Sequence, residues 1–129
     1  MKKVTGIGGV FFKTQDPKAM ATWYEKHLDI PFGDKSYSGF NWRKLDAPEQ
    51  TGHTAFSFFA EDTSYMLPST KQFMLNFRVE NLEALLAQLR EEGVTILGEM
   101  ESYEFGKFGW VLDPEGNKIE LWEAVDEEL

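Results

Sequence analysis

A shift of 65 residues lays one half of this chain on the other: Phe12 falls on Phe77, Asp16 on Asn81 and Ala19 on Ala84. One supersecondary unit used twice restricts the fold more than any composition does. In "QDPKAMATWYEKHL" Asp16 is placed to cap a helix with Pro17 at its first position, and Met20, Trp23, Tyr24 and Leu28 recur on one broad face. In "ENLEALLAQLREEG" Asn81 caps, Leu82, Leu85, Leu86 and Leu89 form an i, i+3, i+4, i+7 stripe, and Gly93 ends the helix. The spacing predicts helices over 17–28 and 82–92, each lying on a sheet.

Strand-like runs surround each helix. "GVFFKTQDP" and "MLNFRVENL" precede them, "YSGFNWRKL" and "HTAFSFFA" follow the first, and "VTILGEMES", "KFGWVLD" and "NKIELWE" follow the second. Each half reads as β-α-β-β-β, giving an α+β class with about eight strands in one domain over 1–129. Module one covers about 1–60 and module two about 72–124; the segment 61–71, with Pro, Ser and Thr, reads as the linker. Val10, Phe12, Leu75, Phe77, Ile119 and Leu121 are expected beneath the helices.

Alternation then picks out the opposite face. In "FMLNFRV" Leu75, Phe77 and Val79 are uniformly apolar, as a helix-covered face should be, and Met74, Asn76 and Arg78 share the other. The 65-residue shift puts Gly9, Phe11 and Lys13 on the same side as those three. Asn76 and Arg78 could add donors for an oxyanion there, or Arg78, near a strand end, could simply reach solvent. In "WVLDPEGNKIELWEA", a hairpin closed by Leu112 and Lys118 around "DPEGN" sets Trp110 opposite Glu120, with Phe108 and Trp122 next on that face. The company of two Trp rings argues that Glu120 lines a cavity and does not face solvent.

A strand, a capped helix and a hairpin, repeated once and closed by "DPEGNKIELWE", resemble the vicinal oxygen chelate superfamily. That group includes glyoxalases, bleomycin-resistance proteins, extradiol dioxygenases and epimerases, and the likeness covers essentially the whole chain. It implies two βαβββ modules forming an open, U-shaped mixed-sheet half-barrel with helices outside and a ligand cavity within. In its metal-dependent members, residues on four strands bind a divalent ion, which acts as a Lewis acid on two neighbouring substrate oxygens. The last ligand is commonly the Glu of the "IEL" strand, which maps onto Glu120. The first-strand position maps onto Gly9, which has no side chain, and its module-two counterpart onto Met74, whose thioether suits such ions poorly. From "HTAFSFFA" only His53 is a plausible donor. No metal or other cofactor is therefore expected; a divalent ion, if bound, would sit at Glu120 with His53.

Composition narrows the partners. A net charge of −9 repels nucleic-acid phosphates and favours cationic ligands. No apolar run approaches a membrane span, and the absence of Cys points to a reducing cytoplasm. His27, on the first helix, reads as a surface residue. Two functional readings lead, ahead of a plain small-molecule sensor or interaction module. One is a glyoxalase-like enzyme, a lyase, isomerase or dioxygenase-like catalyst acting on a small oxygenated metabolite with Glu120 as acid or base. The other is a non-catalytic drug- or metabolite-binding protein of the bleomycin-resistance kind, which holds its ligand by stacking and charge. Either way Phe11, His53, Met74, Asn76, Phe108, Trp110 and Trp122 are the expected ligand contacts, and a homodimer is expected to cover the open sheet's edges.

Overall fold

Both helices begin where their caps place them. The Asp16 carboxylate accepts a hydrogen bond from the Ala19 N–H at 3.0 Å, and the Asn81 carbonyl oxygen accepts one from Ala84 at 3.1 Å. Each thereby satisfies an N–H that a first turn leaves without a partner. The computed structural model describes residues 3–126. In chain order its elements are β1 Val4–Thr14, α1 Pro17–Leu28, β2 Tyr37–Arg43, β3 Thr51–Ala60, β4 Phe73–Val79, α2 Leu82–Glu91, β5 Ile96–Tyr103, β6 Gly106–Leu112 and β7 Lys118–Ala124.

The strands form one mixed sheet in the order β2-β3-β1-β4-β7-β6-β5. β1 runs parallel to β3 and β4 parallel to β7, and the two modules join through the antiparallel pair β1–β4. A single chain thus builds the whole sheet. Seven strands are present among the described residues where two full modules would give eight, because module one is β-α-β-β. In module two, residues 92–105 lead from α2 to β6 and contain β5; the matching stretch of module one, 29–36, is shorter and contains Pro31 and Gly33. The Glu25 carboxylate pins that stretch as a loop by accepting from the N–H groups of Phe32 at 2.6 Å and Gly33 at 2.7 Å.

The sheet is open but strongly curled. β2 and β7 are four strands apart, which on a flat sheet is roughly 19 Å. Yet Lys44, just past β2, reaches Asp126, just past β7, with Nζ and Oδ2 2.9 Å apart. Such curvature brings distant strands together on one concave face and leaves the helices on the convex one. No helix among the described residues is long and apolar enough to cross a membrane.

Two clusters fill the space under the helices. Leu82, Leu85 and Leu86 of α2 bury against Val79, Val111 and Leu121, with Phe77 and Ile119 packed alongside. Under α1 the contact stripe is narrower than its sequence suggests. Met20, Ala21 and Tyr24 meet Phe32, Phe56 and Phe58, while Trp23 and Leu28 are exposed. A third cluster, Phe11, Met66 and Met74 with Ala55 and Phe59, lies on the concave face. Met66 belongs to the connector between modules, so that segment does more than link them: it folds back into the curl.

Candidate functional site

The five-residue loop after β6 fixes what lies on the concave face. Asp113 Oδ1 accepts from the N–H groups of Glu115 and Asn117, both at 2.9 Å, and Asn117 Nδ2 donates back to Asp113 Oδ2 at 2.7 Å. The loop cannot slip while those bonds hold, so Leu112 pairs with Lys118, Val111 with Ile119, Trp110 with Glu120 and Phe108 with Trp122, in the register the sequence predicts. β4 lies on the other side of β7 and sets Asn76 beside Glu120.

Glu120 is 3% exposed. Its Oε1 accepts from Asn76 Nδ2 at 2.6 Å, and its Oε2 accepts from Trp110 Nε1 at 2.9 Å and from the Tyr65 hydroxyl. A carboxylate offers about four lone-pair sites, so three donors nearly saturate it. Asn76 and Trp110 stand on strands; Tyr65 comes from the connector, its ring stacked on Phe59 with centroids 5.7 Å apart and edge-on to Trp110. Burial pushes the Tyr65 phenol far above its ordinary value, and the charge of Glu120 and its hydrogen bond act in the same direction. Tyr65 therefore remains a donor at any ordinary pH. Lys118 covers the group, donating to the Tyr65 carbonyl at 2.6 Å with its ammonium over the Tyr65 and Trp110 rings. Burial pulls the Lys118 amine below its usual value, against the opposing charges of Glu120 and Glu101.

One strand step further along β4 is a second polar group. Arg78, 5% exposed, lies with its guanidinium carbon 5.0 Å from the Trp42 ring centre and 5.2 Å from that of Trp122. Trp42 is fixed by donating to Thr54 Oγ1, and Trp122 by donating to the Phe105 carbonyl, each at 2.9 Å. The guanidinium pairs with Asp126, and its Nη1 donates to the His53 carbonyl at 3.4 Å. Burial works upward on the Asp126 carboxyl, but the hydrogen bonds and charges of Arg78 and Lys44 together hold it below its ordinary value. Gly8 lets these groups converge. A side chain there would collide with Asn76 Oδ1 and press on the Trp122 ring and the Arg78 stem.

Of the residues singled out from sequence, Glu120, Asn76 and Trp110 are brought into direct contact. Phe11 and Met74 lie in the concave apolar cluster. Trp122 stacks on Phe108, ring planes 8° apart, on the Arg78 side. His53 shares the concave parity of β3, but its described interactions run to Asn41, at 2.7 Å from Nδ1, and to Arg78 and Asp126. Burial lowers its imidazole from the ordinary value, and the Arg78 charge adds to that. Sequence reasoning missed Tyr65; Arg78, read either as a donor on the concave face or as reaching solvent, is buried there. The shared parity of Asn76 and Arg78 was the available signal for Arg78; nothing local marked Tyr65.

The family's metal-ligand set fits these residues poorly. Gly9 has no side chain and Met74 is packed among apolar groups. On β3 the counterpart of Glu120 is Ala55 by the sequence shift, or Ser57 by strand pairing, since Phe11 pairs with Ser57 as Asn76 pairs with Glu120. Three hydrogen-bearing groups point at the Glu120 oxygens that a cation would need. Among the described residues no three His, Cys, Asp or Glu side chains are grouped to share an ion. An open depression of about 590 Å³ lies on the convex side, lined by Thr14, Asp16, Ala19, Met20, Trp23 and Tyr24 among others. It is away from this chemistry, and the concave polar groups are the better guide to function.

The family described as Glyoxalase/Bleomycin resistance protein/Dioxygenase superfamily matches residues 6–121. Among solved structures, methylmalonyl-CoA epimerase from Streptomyces coelicolor (Q60A, in complex with 2-nitronate-propionyl-CoA) is similar with a TM-score of 0.69 at 15% identity, over 95% of this chain and 99% of that one. Methylmalonyl-CoA epimerase from Mycobacterium tuberculosis gives 0.62 at 20% identity, over 97% and 91%. A glyoxalase/bleomycin resistance protein/dioxygenase superfamily member from Vibrio splendidus 12B01 gives 0.57 at 15%, over 88% and 95%. At these identities the likeness is one of fold. A search of curated proteins found no match.

Proposed function

The chain belongs to the Glyoxalase/Bleomycin resistance protein/Dioxygenase superfamily, and from that premise we propose that it is a metal-independent small-molecule binder. Its ligand places a hydroxyl or amine donor on Glu120 at the concave face. The observation that carries this reading is the mixed origin of the three donors on that carboxylate. Asn76 and Trp110 are held by strands, whereas Tyr65 comes from the turn-rich connector. A ligand donor takes the place of the Tyr65 hydroxyl on Oε2, while Asn76 and Trp110 hold the carboxylate still. The surrounding Phe59, Trp110 and Phe11 supply apolar contact for the body of the ligand. We further propose a homodimer, since β2, paired on one side with β3, is an edge strand with Tyr37 and Phe40 exposed.

The test is ligand-observed NMR with a panel of small phenols, diols and amines. Tyr65→Phe removes the competing hydroxyl and keeps the ring, so compounds that bind should do so about tenfold more tightly, the gain of one charge-assisted hydrogen bond. Glu120→Gln should weaken them by a similar factor. Binding that is indifferent to both substitutions would refute the assignment of Glu120.

A further inference from the structure

We propose that Arg78 and Lys44, with the Trp42 and Trp122 rings, form a carboxylate-binding site on the concave face, and that the Asp126 side chain occupies it as an intramolecular stand-in for a ligand's carboxylate. The site stands apart from Glu120, so it holds whether or not a ligand reaches that residue.

A guanidinium this deeply buried is costly unless its charge is met. Here the guanidinium lies over two indole rings, each locked by its own N–H hydrogen bond, and its N–H groups remain to meet an anion. One of them meets Asp126, with Lys44 Nζ 2.9 Å from the same carboxylate oxygen. A guanidinium N–H and an ammonium converging on one oxygen, beside two fixed aromatic rings, make a preorganised carboxylate receptor.

The occupant, by contrast, is not part of the scaffold. Asp126 lies past the end of β7 at Ala124 and outside every strand and helix, and its neighbour Val125 is exposed. Arg78, Trp42 and Trp122 all stand on strands. A fixed receptor filled by a side chain from outside the ladder is the arrangement of a tethered competitor. Tethered groups act at effective concentrations in the millimolar range, so an external carboxylate must outcompete Asp126 to enter. The class of ligand follows from the occupant: a small molecule carrying a carboxylate, drawn in despite the chain's net charge of −9 by two convergent cations.

The experiment is a titration of the ¹⁵N-labelled full chain with sodium acetate, at ionic strength held constant with sodium chloride, following the assigned indole N–H signals. In Asp126→Asn, acetate should move the Trp42 and Trp122 signals saturably, at a midpoint about tenfold or more below that of wild type, and leave Trp110 in place. Adding Lys44→Met to Asp126→Asn should raise that midpoint again. Wild type is the arm that does not depend on the variant's folding, because acetate should move the same two signals there at higher concentration. Inorganic phosphate forms the second arm and should compete less well than acetate. No saturable movement in either background, equal midpoints in the two, or a tighter response to phosphate than to acetate would each overturn the proposal.

Discussion

Leu82→Ala should lower the stability of the folded chain by about 2–5 kcal/mol, toward the upper end of that range. Leu82 is 0% exposed and lies at the centre of the cluster that joins α2 to Val79, Val111 and Leu121. The neighbours that would have to collapse into the gap are held by strand pairing on β4, β6 and β7, and the helix start is held too, because the Leu82 N–H donates to Glu123 at 2.8 Å. A cavity that cannot close costs both the lost transfer energy and the lost contacts. Urea unfolding checks it: the midpoint should fall sharply while the slope is preserved. A change below about 1 kcal/mol would mean that α2 does not rest on the sheet through this residue.

Arg78→Met should cost about 3 kcal/mol, the low end of what breaking a buried ion pair costs. Methionine fills the slot between Trp42 and Trp122 but leaves Asp126 without its main partner. Lys44, still beside Asp126, keeps the loss from being larger. The same substitution should alter the acid response. The Asp126 carboxyl titrates lower in the folded chain than in the unfolded one, where its ordinary value is about 3.9. Its contribution to stability is therefore complete above that ordinary value and is lost as pH falls through the depressed, folded-state value. Urea midpoints followed from neutral pH into the acid range should show that part of the decline shrink in Arg78→Met. A variant as stable as wild type, with an unchanged acid limb, would show that the pair is a surface contact of little weight.

Much of this architecture is legible in the residues because local chemistry enforces it. The caps at Asp16 and Asn81, and the closed hydrogen-bonded loop over "DPEGN", act within a few positions of chain, so their consequences, including the Trp110–Glu120 pairing, can be read directly. Asn76 follows from strand alternation alone. The missing strand of module one depends on the length of 29–36, which the repeat obscured by inviting both halves to be read as equal. Tyr65 and Met66 lie in a segment with no periodicity, and only the curl of the sheet brings them onto the concave face. Arg78 was assigned to the right face, with its environment left open between cavity and solvent. A long cationic side chain near a strand end is buried or solvated according to what stands across from it, and both Trp42 and the Trp122–Asp126 stretch lie far from Arg78 in the sequence.

The measurement that bears most directly on Glu120 is metal stoichiometry. The purified chain is equilibrated in turn with zinc, nickel, manganese and ferrous ions, freed of excess metal and analysed for bound ion per chain, in wild type and in Glu120→Gln. With Gly9 and Met74 where further ligands would stand, and Asn76, Trp110 and Tyr65 directing protons at the carboxylate, the expected result is well below one ion per chain, unchanged by the substitution. One ion per chain in wild type, lost in Glu120→Gln, would contradict the account and make Glu120 a metal ligand.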